Sequence, residues 1–162
     1  MDQRKLREEL ERDEGRLLRA YKDSAVPPNW TIGIGHLLGS TPRMSDITDA
    51  ECNALYEADW KVAQAAMFRL FPETEYWQYG DAIQPEWDVR ARAIINMIFN
   101  RGEQRMREST QITPALRGRI EAGSKADWSG IADIISNTPW ATQVGKRATR
   151  IGYMLEFGKE PQ

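Results

Sequence analysis

The sequence is poor in the residues that bind metals or form covalent cross-links. Among its 162 residues there is one cysteine, Cys52, and one histidine, His36. A single cysteine excludes a disulfide within the chain, and one cysteine with one histidine excludes the Cys- and His-rich clusters that hold zinc. The same scarcity argues against a cysteine–histidine protease. We therefore expect neither a metal nor another cofactor.

The sequence also lacks a long apolar run and an excess of positive charge. No run approaches the roughly 20 residues that a membrane-spanning helix needs, and residues 1–13 are charged throughout. We therefore expect no signal peptide, no signal anchor and no membrane insertion. With 22 basic and 24 acidic residues the net charge is −2, which argues against a nucleic-acid partner. A local group of arginines between positions 101 and 119 is interpreted as a solvated helical surface in preference to a face for an anionic polymer.

Hydrophobic and charged residues, at 41% and 28% of the chain, are typical of one globular domain, here residues 1–162. Cap and periodicity signals predict a helix at 2–14, a strand at 17–21 and a second strand from Thr31 to His36. A capping box at 48–51 begins a long helix to about residue 70, with a buried stripe that we assign to Cys52, Leu55, Val62 and Ala66. Further helices are predicted at 85–102, 113–123, 126–136 and 145–157, with a loop at Pro139-Trp140.

Two carboxylates stand out in the N-terminal third of the chain. Glu14 precedes Gly15 at the end of the first helix, where the negative end of the helix dipole disfavours an ionised side chain. Asp23 follows the first strand, in turn-forming sequence, where a carboxylate stays solvated and charged. One protonated and one ionised carboxyl group are the minimum for cleaving a glycosidic bond. Taken singly, each residue is more often an ordinary surface acid.

Three segments around these carboxylates closely resemble a known active-site signature. They are Asp13-Glu14-Gly15, Tyr21-Lys22-Asp23 and the run Thr31-Ile-Gly-Ile-Gly-His36. The pattern resembles that of the phage-type lysozymes, glycoside hydrolase family 24, of the T-even phage kind, and matching segments recur at 94–103 and 140–151. Seven residues, Ser24 to Trp30, separate Asp23 from Thr31, with Pro27-Pro28 where a glycine turn is usual. We interpret this departure as a longer hairpin tip.

The resemblance implies a role for each matching position. Glu14 would be the general acid, Asp23 the carboxylate that positions water, and Thr31 its companion. The other implied positions are Asn100 facing the sugar, Arg147 beside Glu14, Arg150 beside Asp13, and a structural pair of His36 with Asp59. For Asn96, within an apolar run, we favour a satisfied core group over a cleft residue.

Aromatic faces and amides suit sugar recognition, so Trp30, Tyr21 and Trp140 join Asn100 as candidate substrate-binding residues. A core position is the alternative, and it is stronger for Trp140 than for Trp30.

The resemblance also implies an α+β, mainly helical fold with two lobes. A small lobe with an antiparallel β-sheet would span about 13–48, a linking helix 49–71 and a larger helical lobe 72–162. The N-terminal helix, residues 2–14, would pack on the helical lobe.

The expected activity is that of an inverting muramidase, which hydrolyses the β-1,4 bond between N-acetylmuramic acid and N-acetylglucosamine in bacterial peptidoglycan. As a monomeric phage-type endolysin it would stay in the host bacterial cytoplasm until a holin or another delivery system gave it access to the periplasmic wall. The main alternative is a catalytically silent peptidoglycan-binding or phage tail component, which only the longer Asp23–Thr31 loop favours. A plain helical interaction protein would leave the glycine-rich segment from Thr31 to His36 unexplained.

Overall fold

The structure is a computed structural model, and it describes residues 1–23, 28–41, 45–78 and 85–161. Its α-helices are α1 (Gln3–Glu14), α2 (Asp49–Leu70), α3 (Pro85–Arg101), α4 (Glu103–Arg107), α5 (Ile112–Ala122), α6 (Ile131–Ser136), α7 (Pro139–Val144) and α8 (Lys146–Phe157). Its strands are β1 (Leu17–Lys22), β2 (Trp30–Gly33) and β3 (His36–Gly39), and 3-10 helices cover Pro72–Gln78 and Gly123–Lys125. The predicted class, α+β and mainly helical with a small antiparallel sheet, is confirmed.

The chain divides into two compact units. We call residues 3–62 the N-terminal unit, and residues 1–2 with 63–162 the C-terminal unit. The boundary falls inside α2, which begins in the first unit and ends in the second. The predicted lobe limits and the packing of the N-terminal helix on the helical lobe stay predictions. Within the described ranges, no helix has the length and apolar character to cross a membrane.

The N-terminal unit contains the three-stranded antiparallel sheet, in the order β1-β2-β3. Tyr21 lies opposite Thr31, and Ile32 lies opposite His36. The prediction of one strand from Thr31 to His36 is wrong, because β2 ends at Gly33 and β3 begins at His36. Gly33 and Gly35 have φ angles of +66° and +70°, a conformation that glycine adopts readily and that turns the chain into a tight hairpin.

The long helix α2 begins where its capping box predicts. The Thr48 backbone N–H donates to the Glu51 carboxylate at 2.8 Å, and the Glu51 N–H donates to Thr48 Oγ1 at 3.2 Å. The predicted stripe is wrong at Val62, which is 65% exposed. Burial instead recurs every three or four residues, at Cys52, Tyr56, Trp60, Ala63, Met67 and Leu70.

Cys52, near the start of this helix, packs against the sheet. Its side chain is fully buried, and a β-carbon built on Gly33 would come within 3.3 Å of its sulfur. The thiol is free, and burial, the largest cause, raises its pKa.

The core of the C-terminal unit forms around α3, which is buried almost continuously from Val89 to Ile98. Arg92 is fully buried within this helix. Its Nε donates to Asp88 Oδ2 at 3.0 Å, and its Nη2 donates to the Glu160 carboxylate. The apolar helix α3 is therefore held in part by buried charge.

Elsewhere in the C-terminal unit, α6 and α8 pack closely, since a β-carbon on Gly152 would lie 3.0 Å from the Ala132 Cα.

Several helices in this unit differ from prediction. The helix predicted from Ala126 begins at Ile131, because Gly130 preceding it has a φ of +72°. The predicted loop at Pro139-Trp140 is the first turn of α7, which Thr138 caps by accepting a hydrogen bond from the Ala141 N–H at 3.2 Å. Proline suits that first turn because it has no N–H that needs a partner there. The short helix α4 was not predicted.

Candidate functional site

The first candidate carboxylate, Glu14, is the last residue of α1 and is partly buried. The chain leaves the helix at Gly15, whose φ is +79°. The Glu14 side chain lies against Gly35, in the turn between β2 and β3. A β-carbon built on Gly35 would be 3.2 Å from Glu14 Cγ and 3.2 Å from its Oε2. A side chain at position 35 would require Glu14 to shift by a few tenths of an ångström.

The second candidate carboxylate, Asp23, lies directly after β1. Its backbone N–H donates to the Asn29 carbonyl at 2.9 Å, and this closes the connection to β2. Its side chain accepts hydrogen bonds at both oxygens: from the Asn29 N–H to Oδ1 at 2.8 Å, and from Asn29 Nδ2 to Oδ2 at 3.2 Å. The rest of the predicted longer tip, residues 24–27, lies outside the described residues.

Tyr21 links the two carboxylates electrostatically. Partial burial is the largest cause of its raised pKa, and the charges of Glu14 and Asp23 raise it further. The charges of both acids, one at the end of α1 and one at the end of β1, therefore act on the same phenol. The sequence indicated Tyr21 only as a possible wall for a sugar.

Thr31, the third predicted catalytic residue, lies on β2 opposite Tyr21 and is 6% exposed. It is therefore a buried side chain and not an ordinary exposed strand threonine. Its neighbour Trp30 is partly exposed, with the Lys22 ammonium 5.5 Å from the centre of its ring. Trp30 thus offers an aromatic surface on the strand that carries Thr31.

His36 and Asp59 are brought together within the N-terminal unit. His36 Nδ1 is 2.8 Å from Asp59 Oδ2, and the two side chains are 27% and 28% exposed. This contact ties the start of β3 to the middle of α2. It stabilises the hairpin turn against which Glu14 lies.

The remaining predicted site residues belong to the C-terminal unit. Trp140 is 6% exposed, and its Nε1 donates to Asn100 Oδ1 at 2.8 Å. The Arg101 guanidinium lies 5.6 Å from the centre of the Trp140 ring. Trp140 is therefore a buried group that fixes the side chain of Asn100, which is itself partly exposed.

Arg147 is buried and engages Asn96. Its Nε donates to Asn96 Oδ1 at 2.8 Å, and its Nη2 donates to the Asn96 carbonyl at 3.0 Å. Asn96 is thus the satisfied core group that the sequence favoured. The pairings of Arg147 with Glu14 and of Arg150 with Asp13 stay predictions.

Four of the arginines between 101 and 119 donate hydrogen bonds within the C-terminal unit. Arg69 and Arg107 both donate to the Glu103 carboxylate, which lowers its pKa to about 2. Arg117, Arg119 and Arg101 donate to the backbone carbonyls of Leu70, Ser129 and Arg105, respectively. These contacts support a helical surface held together by its own hydrogen bonds.

The chemistry available to the site is that of two carboxyl groups in different surroundings. Glu14 ends a helix and packs against a turn, whereas Asp23 accepts two N–H bonds. A proton donor and an ionised carboxylate are the pair used in glycosidic hydrolysis. Over the described part of the chain, no group of three or more His, Cys, Asp or Glu residues is placed to hold a metal ion.

Comparison with known proteins yields two findings. A family profile described as phage lysozyme matches residues 11–130, a stretch that includes both carboxylates. The chain is also similar to a protein of Dictyostelium discoideum named probable T4-type lysozyme 2. The two are 25% identical over 175 aligned positions, which cover 94% of each chain.

Proposed function

The chain belongs to the phage lysozyme family, with a lysozyme-like role in peptidoglycan hydrolysis, and from this premise we propose that it is a muramidase. The bond cleaved is the β-1,4 linkage from N-acetylmuramic acid to N-acetylglucosamine. We propose further that the protein acts as a monomer in host lysis. A holin or another delivery system would release it from the bacterial cytoplasm.

The placement of the two acids supports the proposed catalytic roles: Glu14 ends α1 and lies against Gly35, Asp23 directly follows β1, and the charges of both raise the pKa of Tyr21. The two acids come from different elements, α1 and the end of β1, yet the charges of both act on one phenol. A sugar bound there would have a carboxyl group available on each side. Glu14 would donate a proton to the leaving oxygen, and Asp23 would accept a proton from the attacking water.

Inversion of the anomeric centre follows from this division of roles. Water enters on the face opposite the leaving group, so the two carboxyl groups must leave room for it, roughly 6.5–9.5 Å apart in inverting enzymes. Thr31 is proposed to hold that water beside Asp23 through its hydroxyl group. No cofactor is needed, because both proton transfers use side chains of the chain itself.

We propose glycan contacts at Trp30 and at Asn100. Trp30 is partly exposed and carries an aromatic ring that suits a sugar face, and Asn100, also partly exposed, has an amide for hydrogen bonding. Trp140 is buried, so we propose that it contributes by holding Asn100 through its Nε1–H. Arg147 is proposed to support the acid Glu14.

The test is the configuration of the first product. Peptidoglycan fragments are digested in an NMR tube, and the anomer is recorded before mutarotation. An α product from the β-linked glycan is expected, because water attacks opposite the departing sugar. A β product would contradict the role given to Asp23. No product from a folded protein that still binds the glycan would favour the silent wall-binding alternative.

A further inference from the structure

We propose that Asn29 is a positioning residue that holds the Asp23 carboxylate in the orientation needed to activate water. The inference rests on the proposed function, since it concerns the task that function gives to Asp23. Asn29 lies in the connection between β1 and β2, one residue before Trp30. It falls within the spacer that sets this chain apart from the family pattern.

Three hydrogen bonds join the two residues. One runs from the Asp23 N–H to the Asn29 carbonyl and closes the connection. The other two are accepted by the Asp23 side chain: the Asn29 backbone N–H donates to Oδ1 at 2.8 Å, and Asn29 Nδ2 donates to Oδ2 at 3.2 Å. A single residue thus donates to both carboxylate oxygens, so rotating the carboxylate breaks both bonds together.

The two bonds set the direction in which the carboxylate oxygens point. An ionised carboxylate has about four acceptor sites, and Asn29 occupies two of them. Placement matters because a shift of about 1 Å in a catalytic group costs on the order of 100-fold in rate.

The side chain of Asn29 is not required for the turn itself. The backbone groups of the two residues close the connection, and any residue other than proline supplies both. The bond from Nδ2 to Oδ2 depends on the amide alone. A role in folding and a role in positioning can therefore be separated by changing only the side chain.

Two substitutions and a matched control test the proposal. Asn29→Ala removes the Nδ2 donor and keeps the backbone N–H. Asn29→Asp nearly preserves the shape but places a second carboxylate against Asp23. Asn137→Ala removes a similar amide donor, whose partner is the Asp133 carbonyl at 2.9 Å in the C-terminal unit.

For Asn29→Ala we expect kcat on peptidoglycan fragments to fall roughly 10- to 100-fold, with KM and the affinity for a chitooligosaccharide within about twofold. For Asn29→Asp we expect a larger loss, because two adjacent carboxylates cannot both stay ionised. A purely structural role predicts the opposite order, since aspartate fits the space better than alanine. Asn137→Ala should keep the activity of the natural chain.

The proposal is overturned if Asn29→Ala keeps kcat within about twofold, or if Asn29→Asp is the more active of the two. Glu14→Gln and Asp23→Asn are assayed in parallel, and full activity in both would mean that the proposed function itself has failed. A crystal structure of Asn29→Ala decides the matter independently of activity. We expect the Asp23 carboxylate to rotate, and an unchanged carboxylate would refute the positioning role.

Discussion

The N-terminal and C-terminal units fix their polar side chains by different means. In the N-terminal unit, partly buried Glu14 and Asp23 owe their positions to where the chain turns, at Gly15, at Gly35 and at the start of the β1–β2 connection. In the C-terminal unit, Arg92 is buried inside an apolar helix and held by side-chain partners. For these residues, backbone turns set the position in the N-terminal unit and burial with side-chain partners sets it in the C-terminal unit.

This difference separates chemistry from stability. A partly exposed acid that is held by turns can change with little loss of packing, whereas a buried guanidinium cannot lose its contacts without leaving charges unpaired. Substitutions in the first class should alter the rate of hydrolysis and leave the free energy of unfolding nearly constant. Substitutions of a buried guanidinium should lower the free energy of unfolding and leave the rate of hydrolysis nearly constant. Each prediction below would either sharpen this contrast or break it.

The largest effect is expected at Glu14. Glu14→Gln keeps the shape but has no proton to donate, so activity should fall 10²–10⁴-fold, or roughly 3–5 kcal/mol of barrier. The melting temperature should stay near that of the natural chain. The rate of turbidity loss in permeabilised Gram-negative cells measures the first quantity, and calorimetry measures the second. The control Glu8→Gln, at an exposed position of the same helix, should be as active and as stable as the natural chain. If Glu14→Gln kept more than a tenth of the activity, the assignment of Glu14 as the acid would be contradicted.

The complementary effect is expected at Arg92. Arg92→Leu removes the buried partner of Asp88 and Glu160, which should cost about 2–4 kcal/mol of unfolding free energy. Urea denaturation measures this loss. Activity per folded molecule should be unchanged at temperatures where the variant is folded. The exposed change Arg4→Leu should cost less than about 0.5 kcal/mol, and an equal cost at both positions would break the contrast.

Two glycines in the β2–β3 hairpin can separate an effect on stability from an effect on activity within the N-terminal unit. Gly35 and Gly39 both have positive φ, at +70° and +76°, so alanine at either should cost roughly 1–2 kcal/mol of stability. Only Gly35 would press its new β-carbon against Glu14, since nothing lies within 4 Å at Gly39. Gly35→Ala should therefore also lower kcat, by about tenfold, whereas Gly39→Ala should not. Equal kcat values for the two variants would show that the contact with Glu14 is unimportant.

The smallest effect is expected at Glu103, on the surface of the C-terminal unit. Arg69 and Arg107 hold its pKa at about 2, below the ordinary value of 4.5. A lowered pKa in the folded state stabilises the fold above about pH 4.5, and this contribution is lost as pH falls toward about 2. Because solvent screens the exposed arginines, we expect less than about 1 kcal/mol. Denaturation of Glu103→Gln and the natural chain should differ at pH 6 and converge near pH 2, and a constant difference would exclude this linkage.

Much of the fold was predictable from local signals. The capping box at Thr48 and Glu51 fixed the start of α2, and Gly158, with a φ of +61°, ends α8 as predicted. These signals act within one turn of helix, so neighbouring residues suffice to read them. The acids Glu14 and Asp23 were likewise visible, because both lie at predicted ends of elements.

The errors arose where the tertiary structure decides. Gly33 and Gly35 are compatible with either a strand or a turn, and only pairing with β1 shows that β2 stops at Gly33. Val62 is apolar but lies on the exposed side of α2, and hydrophobicity alone cannot reveal the side a residue faces. The grip of Asn29 on Asp23 also depends on side-chain orientation, which no sequence pattern specifies.

The single thiol of Cys52 can report how often the N-terminal unit opens. The sulfur is fully buried and its pKa is raised, so a thiol reagent has neither access nor a ready thiolate while the unit is closed. Modification must wait for an opening that exposes the contact with Gly33. Since the chain has no other cysteine, the rate of labelling reports how often that opening occurs, with no engineered probe and no competing signal.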